Sequence, residues 1–121
     1  MDSVRLFKAL ADKNRLLIFA ALSTHGKLCV CQIAEFLGLA MSTTSKHLNI
    51  LENATLVTKI RNGKWVYYHS PKRQESRMAR EMIKWVSSSV EEAEEGKKAF
   101  RKLDRVLQVD PEKLCRRVRG S

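Results

Sequence analysis

The sequence predicts a mainly α-helical domain with one small β-hairpin: a winged helix-turn-helix, dimeric through its terminal helices. Three observations predict it. Thr44, Leu48 and Leu51 recur at i, i+4 and i+7 and define the buried stripe of one helix. Asn62-Gly63 separates two runs rich in β-branched and aromatic residues, the pattern of a hairpin closed by a two-residue type I′ turn. Near the C-terminus Met78, Met82, Trp85, Val86 and Val90, together with Ile83, form an apolar stripe at helical spacing. A domain this small lacks partners to cover such a stripe, so we read it as a dimer surface; packing on the chain's own first helix is compatible with that reading.

The chain has 121 residues, 44% of them hydrophobic, enough for one domain with a real but small core. Within it residues 1–70 form the DNA-binding and sensing part, and residues 71–121 a helical dimerisation and tail region. The net charge of +10 and pI near 9.9 point to a polyanionic partner. The charge is uneven: residues 1–70 carry nine Lys/Arg against four acids, residues 71–95 five against six, and residues 96–121 nine against three. The start MDSVRLFKAL has no long apolar run before a cleavage site, so a cytoplasmic location is expected. The longest apolar run, Leu16 to Leu22, is too short to cross a bilayer. No membrane partner is expected. Three cysteines are an odd number, which argues against a structural disulfide framework and for reactive or ion-binding thiols.

Taken in order, a first helix covers Ser3 to Leu10 with Val4, Phe7 and Leu10 or Ala11 on one face. Asp12 offers an N-cap for a second helix through about Leu22, and Thr24-His25-Gly26 ends it. The third helix begins near Cys29 or Val30 and stops before Gly38, burying Val30, Ile33, Ala34 and Leu37. A fourth helix follows the turn at Leu39 to Met41, with Ser42 a better cap than Ala40, and ends near Asn53. After the hairpin, Ser70-Pro71 opens a long helical region in which Gly96 marks a break before a piece built on Phe100, Leu103 and Leu107. Asp110-Pro111-Glu112 then reads as an N-cap with proline at the first helical position, starting a last helix that carries Cys115.

The fourth helix leaves Ser42, Lys46 and Asn49 on its polar side, flanked by Thr43 and Ser45. Short hydroxyls and a cation of this kind meet phosphate oxygens and base edges. His47 falls on phosphate or the core edge, and His69 closes the second strand. Counting outward from a type I′ turn at Asn62-Gly63 pairs Arg61 with Lys64, Ile60 with Trp65, Thr58 with Tyr67 and Val57 with Tyr68. Two cations face to face at a hairpin tip repel, and an anionic partner relieves them.

Cys29-Val30-Cys31 sits at the entry to the third helix, directly before the turn into the fourth. On a regular helix residues i and i+2 lie about 200° apart, so the two sulfurs diverge and grip one ion only if the first turn unwinds. Cys115 is the third thiol. Three thiolates leave no net charge when they hold a soft ion of charge +3, arithmetic that arsenic(III) or antimony(III) satisfies. Zinc or cadmium asks for a fourth ligand, for which His25 is the nearest candidate. Buried small hydrophobes are the plain alternative for these cysteines. The acidic run Glu91-Glu92-Ala93-Glu94-Glu95 reads as a solvated helix face.

These residues resemble the ArsR-type metalloregulators (the ArsR/SmtB family), most of all the arsenical-resistance repressors. The likeness lies in LCVCQIAEFLGL (Leu28 to Leu39), STTSKHLNIL (Ser42 to Leu51), the wing RNGKWVYYHSP (Arg61 to Pro71) and KALADKNRLLIFAAL (Lys8 to Leu22), and it covers about residues 3–72. It implies a homodimeric repressor that holds double-stranded operator DNA when apo and releases it when arsenite or antimonite binds the thiols. The inducer is the only ligand implied; no resident cofactor is. Carried over by position, Cys29 and Cys31 match the inducer-binding pair, Ser42, Thr43, Ser45, Lys46 and His47 the DNA-reading helix, and Arg61 and Lys64 the wing. Three positions depart from the family pattern: Ala34 stands where arsenic sensors carry a third cysteine, Met41 where glutamine is common, and Thr55 where glycine is usual. Cadmium and lead sensors add cysteines in an N-terminal extension, and zinc sensors an Asp-x-His pattern on the fifth helix, neither of which is found here. Arsenic is therefore favoured, with Cys115 as third thiolate. A redox switch at the same thiols, or cadmium or zinc sensing, is the rival reading. An enzyme is not expected, since no His with Asp or Asn stands ready to activate a cysteine nucleophile.

Overall fold

The computed structural model describes residues 2–71 and 77–120. Helix α1 (Asp2–Leu10) leads into α2 (Lys13–His25) through Asp12, whose carboxylate accepts the backbone N–H groups of Asn14 and Arg15 at 2.9 and 3.1 Å. This is the expected N-cap. Gly26, at φ 85°, ends α2 as expected, with the helix running on to His25 rather than to about Leu22. Leu17 to Leu22 are all buried, so α2 is the central helix of the core.

A strand that no sequence pattern announces follows, β1 (Lys27–Cys29), and only then α3 (Val30–Leu37). Gly38, left-handed at φ 69° and ψ 33°, ends α3 and turns the chain into α4 (Met41–Asn53). The N-cap of α4 is Ala40, with no side-chain cap, rather than Ser42. Thr44 is fully buried, and its hydroxyl donates to the Ala40 carbonyl at 2.9 Å and so is satisfied inside the core. Leu48 and Leu51 are buried with it, as the spacing predicts.

Strands β2 (Thr58–Asn62) and β3 (Trp65–His69) form the wing, and β1 pairs with the far edge of β3 to give an antiparallel sheet in the order β1-β3-β2. The hairpin register differs from the expected one. Asn62 pairs with Trp65, Arg61 with Val66, Ile60 with Tyr67, Lys59 with Tyr68 and Thr58 with His69. The two turn residues are therefore Gly63 and Lys64, not Asn62 and Gly63. Only Gly63, at φ 64°, has positive φ, which is the demand of a type II′ turn with glycine first, whereas type I′ needs positive φ at both central positions. Arg61 and Lys64 consequently do not oppose each other across the strands.

Residues 72–76 lie outside the described set, as do the side chains of Met78 and Ala79. Helix α5 (Arg77–Glu92) runs through Ser87 to Ser89 without interruption and packs along α2. Val86 and Val90 are buried in the chain's own core, Met82 and Ile83 are half-buried against it, and Trp85 is exposed. Part of the apolar stripe is thus covered within one chain. The helix breaks at Ala93, not at Gly96. Gly96 lies inside α6 (Glu94–Leu107), where a Cβ would collide with the Val90 carbonyl, so glycine is what lets α6 fold back onto the end of α5. The final helix α7 (Pro111–Gly120) starts as expected, with the Asp110 carboxylate accepting the Glu112 N–H. It lays buried Leu114 and Cys115 on α3. Among the described residues no helix is long and apolar enough to cross a membrane.

Candidate functional site

The structure brings Cys29, Cys31 and Cys115 together in one buried cluster, walled by Val30, Met41, Trp65 and Tyr67. Cys31 and Cys115 are joined as a disulfide across 84 residues, with their Cα atoms 5.3 Å apart; Cys29 is a free thiol. Bonded cysteines are a departure from the free thiols expected of the composition. They arise because α7 returns to lie on the first turn of α3, a tertiary contact no local pattern announces.

The first turn of α3 need not unwind for Cys29 and Cys31 to meet. Cys29 precedes the helix as its N-cap, with extended backbone at φ −84° and ψ 161°, and it also ends β1 opposite Tyr67. The 200° divergence holds only for two helical residues, and Cys29 is not one. A capping box fixes this entry: the Gln32 side chain accepts the Cys29 N–H at 2.9 Å, while the Gln32 N–H turns toward the Cys29 sulfur. With Cys31 and Cys115 joined, no three His, Cys, Asp or Glu side chains among the described residues form a group able to hold a metal ion. His25 instead packs edge-on against Phe100, with ring centroids 5.9 Å apart.

Three of the four walls, all but Val30, come from the elements expected to meet DNA. Met41 is the first residue of α4, and Trp65 and Tyr67 are alternate residues of β3. On α4, Ser42, Thr43, Ser45, Lys46 and Asn49 are all exposed on the side opposite the Thr44, Leu48 and Leu51 stripe. His47 is half-buried and turned inward, its Nδ1 accepting from the Arg15 guanidinium at 3.1 Å. That contact places it at the core edge. Arg61 is exposed on the wing. Lys64, at the wing tip, already has an anionic partner in Glu112 of α7 at 3.0 Å and lies over the Trp65 ring. Below the wing, burial, helped by the nearby Glu52 carboxylate, raises the Tyr68 phenol above its usual value and keeps it neutral.

Sequence reasoning misses the cluster walls, β1 and the two ion pairs that tie α7 down, Lys64 with Glu112 and Arg117 with Glu35 at 3.9 Å. A signal for the walls is present in the alternation of WVYYH, which puts Trp65 and Tyr67 on one face of the strand.

Comparison with known proteins gives the family. The family model described as "Bacterial regulatory protein, arsR family" matches residues 12–59. The arsenical resistance operon repressor of Escherichia coli (strain K12) is 34% identical over 90 residues, which is 74% of this chain and 70% of that protein. The chain belongs to the ArsR family. Other ArsR-type relatives match a shorter stretch. The arsenical resistance operon repressor of Bacillus subtilis is 48% identical over 62 residues, 51% of this chain and 59% of that protein. A cadmium resistance transcriptional regulatory protein CadC homolog of Staphylococcus aureus is 41% identical over 68 residues, 56% of each chain. The chain thus spans between half and two thirds of the length of these two relatives. In structure the ArsR-type chain is similar to HlyU from Vibrio cholerae N16961, with a TM-score of 0.63 at 28% identity over 73% of this chain and 90% of that one. It is also similar to the homodimeric winged helix-turn-helix DNA-binding domain of Mb0332 from Mycobacterium bovis, with a TM-score of 0.61 at 28% identity over 77% of this chain and 85% of that one. The ArsR family is one of regulators, not enzymes.

Proposed function

We propose that this chain is a homodimeric transcriptional repressor that binds double-stranded operator DNA through α4 and the wing. In this reading it lets go when its three cysteines capture arsenite or antimonite. The observation that carries the proposal is the gathering of Cys29, Cys31 and Cys115 in one dry cluster against Met41, Trp65 and Tyr67. A ligand gripped there pushes on the first residue of the recognition helix and on the wing at once, without unwinding α3. The arsenical repressors of Escherichia coli and Bacillus subtilis support the inducer class.

The donor set fits the ion. A dithiol, itself oxidised to a disulfide, supplies the two electrons and two protons that turn the Cys31–Cys115 bond into two thiols, and the free Cys29 makes a third. Arsenous acid then condenses with them, As(OH)3 + 3 RSH giving As(SR)3 + 3 H2O, and no net charge is left in the apolar cluster. Cadmium(II) held by the same three sulfurs displaces three protons and leaves one negative charge there. It is the second reading, favoured by the CadC homolog of Staphylococcus aureus.

The test is fluorescence anisotropy of the reduced protein on its own upstream DNA, titrated with arsenite and with cadmium in a weakly buffered, dye-monitored solution. Arsenite is expected to release the DNA with no proton uptake or loss, through a coupling of about 1–3 kcal/mol. A Cys29→Ser, Cys31→Ser protein is expected to bind DNA and ignore arsenite. Release by cadmium alone, with acidification, selects the second reading. Release of the double variant by arsenite contradicts both.

A further inference from the structure

We infer that α7 is a third DNA-contacting element, a phosphate clamp set between the recognition helix and the wing; this rests on the DNA-binding reading above. The two ends of α7 touch the two elements that read DNA. Glu112, in its first turn, holds Lys64 at the wing tip. Arg117 and Val118, near its end, face Met41 and Ser42 at the start of α4 across an open cavity of about 810 Å³. The helix therefore spans the gap between α4 and the hairpin.

Its two faces differ in kind. Leu114 and Cys115 are buried, and Val118 half-buried, on the side toward α3. Lys113 and Arg116, three residues apart and so on one face, are both exposed on the opposite side. Neither makes an ion pair among the described residues, whereas Arg117 is engaged by Glu35 and Lys64 by Glu112. A pair of unengaged cations beside two groove-reading elements suits the phosphate backbone, which accepts point charges without regard to sequence. Four of the nine Lys/Arg of residues 96–121, Lys113, Arg116, Arg117 and Arg119, belong to this one helix.

Cys115 shares in docking this clamp, since it packs on α3 beside the fully buried Leu114 and is joined there to Cys31. Chemistry at that sulfur therefore acts on DNA binding partly through contacts that are blind to base sequence.

The experiment measures anisotropy of reduced protein on its upstream duplex and on a scrambled duplex of equal length, at a series of salt concentrations. The proteins are wild type, Lys113→Gln/Arg116→Gln, the charge-keeping Lys113→Arg/Arg116→Lys, and Ser42→Ala/Lys46→Ala in the recognition helix. The glutamine variant is expected to lose about tenfold or more in affinity on both duplexes alike, with the slope of log affinity against log salt shallower by roughly 1.8, two phosphates' worth. The charge-keeping variant is expected to behave as wild type, which excludes misfolding as the cause. Unchanged affinity and slope in the glutamine variant, while Ser42→Ala/Lys46→Ala loses the upstream duplex, overturns the clamp and leaves the DNA reading standing. Failure of the wild type to bind either duplex overturns both.

Discussion

At the scale of single residues, one position decides the geometry of the thiol site. Cys29 is an N-cap in extended conformation, so its sulfur shares a side with Cys31 although the two are separated by only Val30. A second residue carries visible strain. Thr55, at φ 60°, is the sole non-glycine with positive φ among the described residues, where the family pattern has glycine. A β-branched side chain in the left-handed region costs about 1–2 kcal/mol, and glycine returns part of that as lost chain entropy. Thr55→Gly is therefore expected to raise stability by about 0.5–1 kcal/mol, read as a higher midpoint in urea. An equal or lower midpoint would show that the Thr55 hydroxyl, bonded to the Ala54 carbonyl at 2.6 Å, outweighs the strain.

At the scale of elements, the contacts that hold α7 include buried Leu114, half-buried Val118, one disulfide and two exposed ion pairs. Exposed pairs such as Lys64 with Glu112 contribute little, ~0–1 kcal/mol. Leu114 is fully inaccessible, and its burial contributes more than either pair. Leu114→Ala is expected to cost about 2–5 kcal/mol in the docking of α7, seen in the reduced protein as faster limited proteolysis around Gln108 to Asp110 ahead of global unfolding. Cleavage at the wild-type rate would mean that α7 is held by something other than this side chain. The elements also divide by how legible they are in the sequence. Helices with an apolar stripe and a capping residue can be read directly: α2 from Asp12, α4 from Thr44, Leu48 and Leu51, and α7 from Asp110-Pro111. The strand β1 cannot, because three residues carry no periodicity and the pairing of Cys29 with Tyr67 is made across 38 residues of chain. The hairpin is legible but its register is not, since the run Asn62-Gly63-Lys64 suits either a type I′ turn on its first two residues or a type II′ turn on its last two. Propensity alone puts the break between α5 and α6 at Gly96, whereas that glycine serves a close backbone approach inside α6.

At the scale of the whole molecule, the three thiols are legible as residues but not as a site. Their meeting depends on α7 crossing back over α3, and only a folded chain expresses that. The same holds for the apolar stripe of α5. Val86 and Val90 turn inward, while Trp85 is 65% exposed, and Phe7 and Val4 on α1 are 58% and 47% exposed. A dimer that covers α1 and α5 accounts for those side chains. Trp85→Arg is expected to shift the protein from dimer to monomer in sedimentation velocity; identical sedimentation of the variant and the wild type would place the dimer contact elsewhere.

The central claim is that one chain supplies all three sulfurs of the inducer site, from the end of β1, the first turn of α3 and the face of α7. X-ray absorption at the arsenic edge, on reduced protein carrying one equivalent of arsenite, counts those neighbours directly. The expected result is three sulfurs in the wild type and two, with an oxygen in the third place, in Cys115→Ser. Two sulfurs in the wild type, or an unchanged count in the variant, would contradict it.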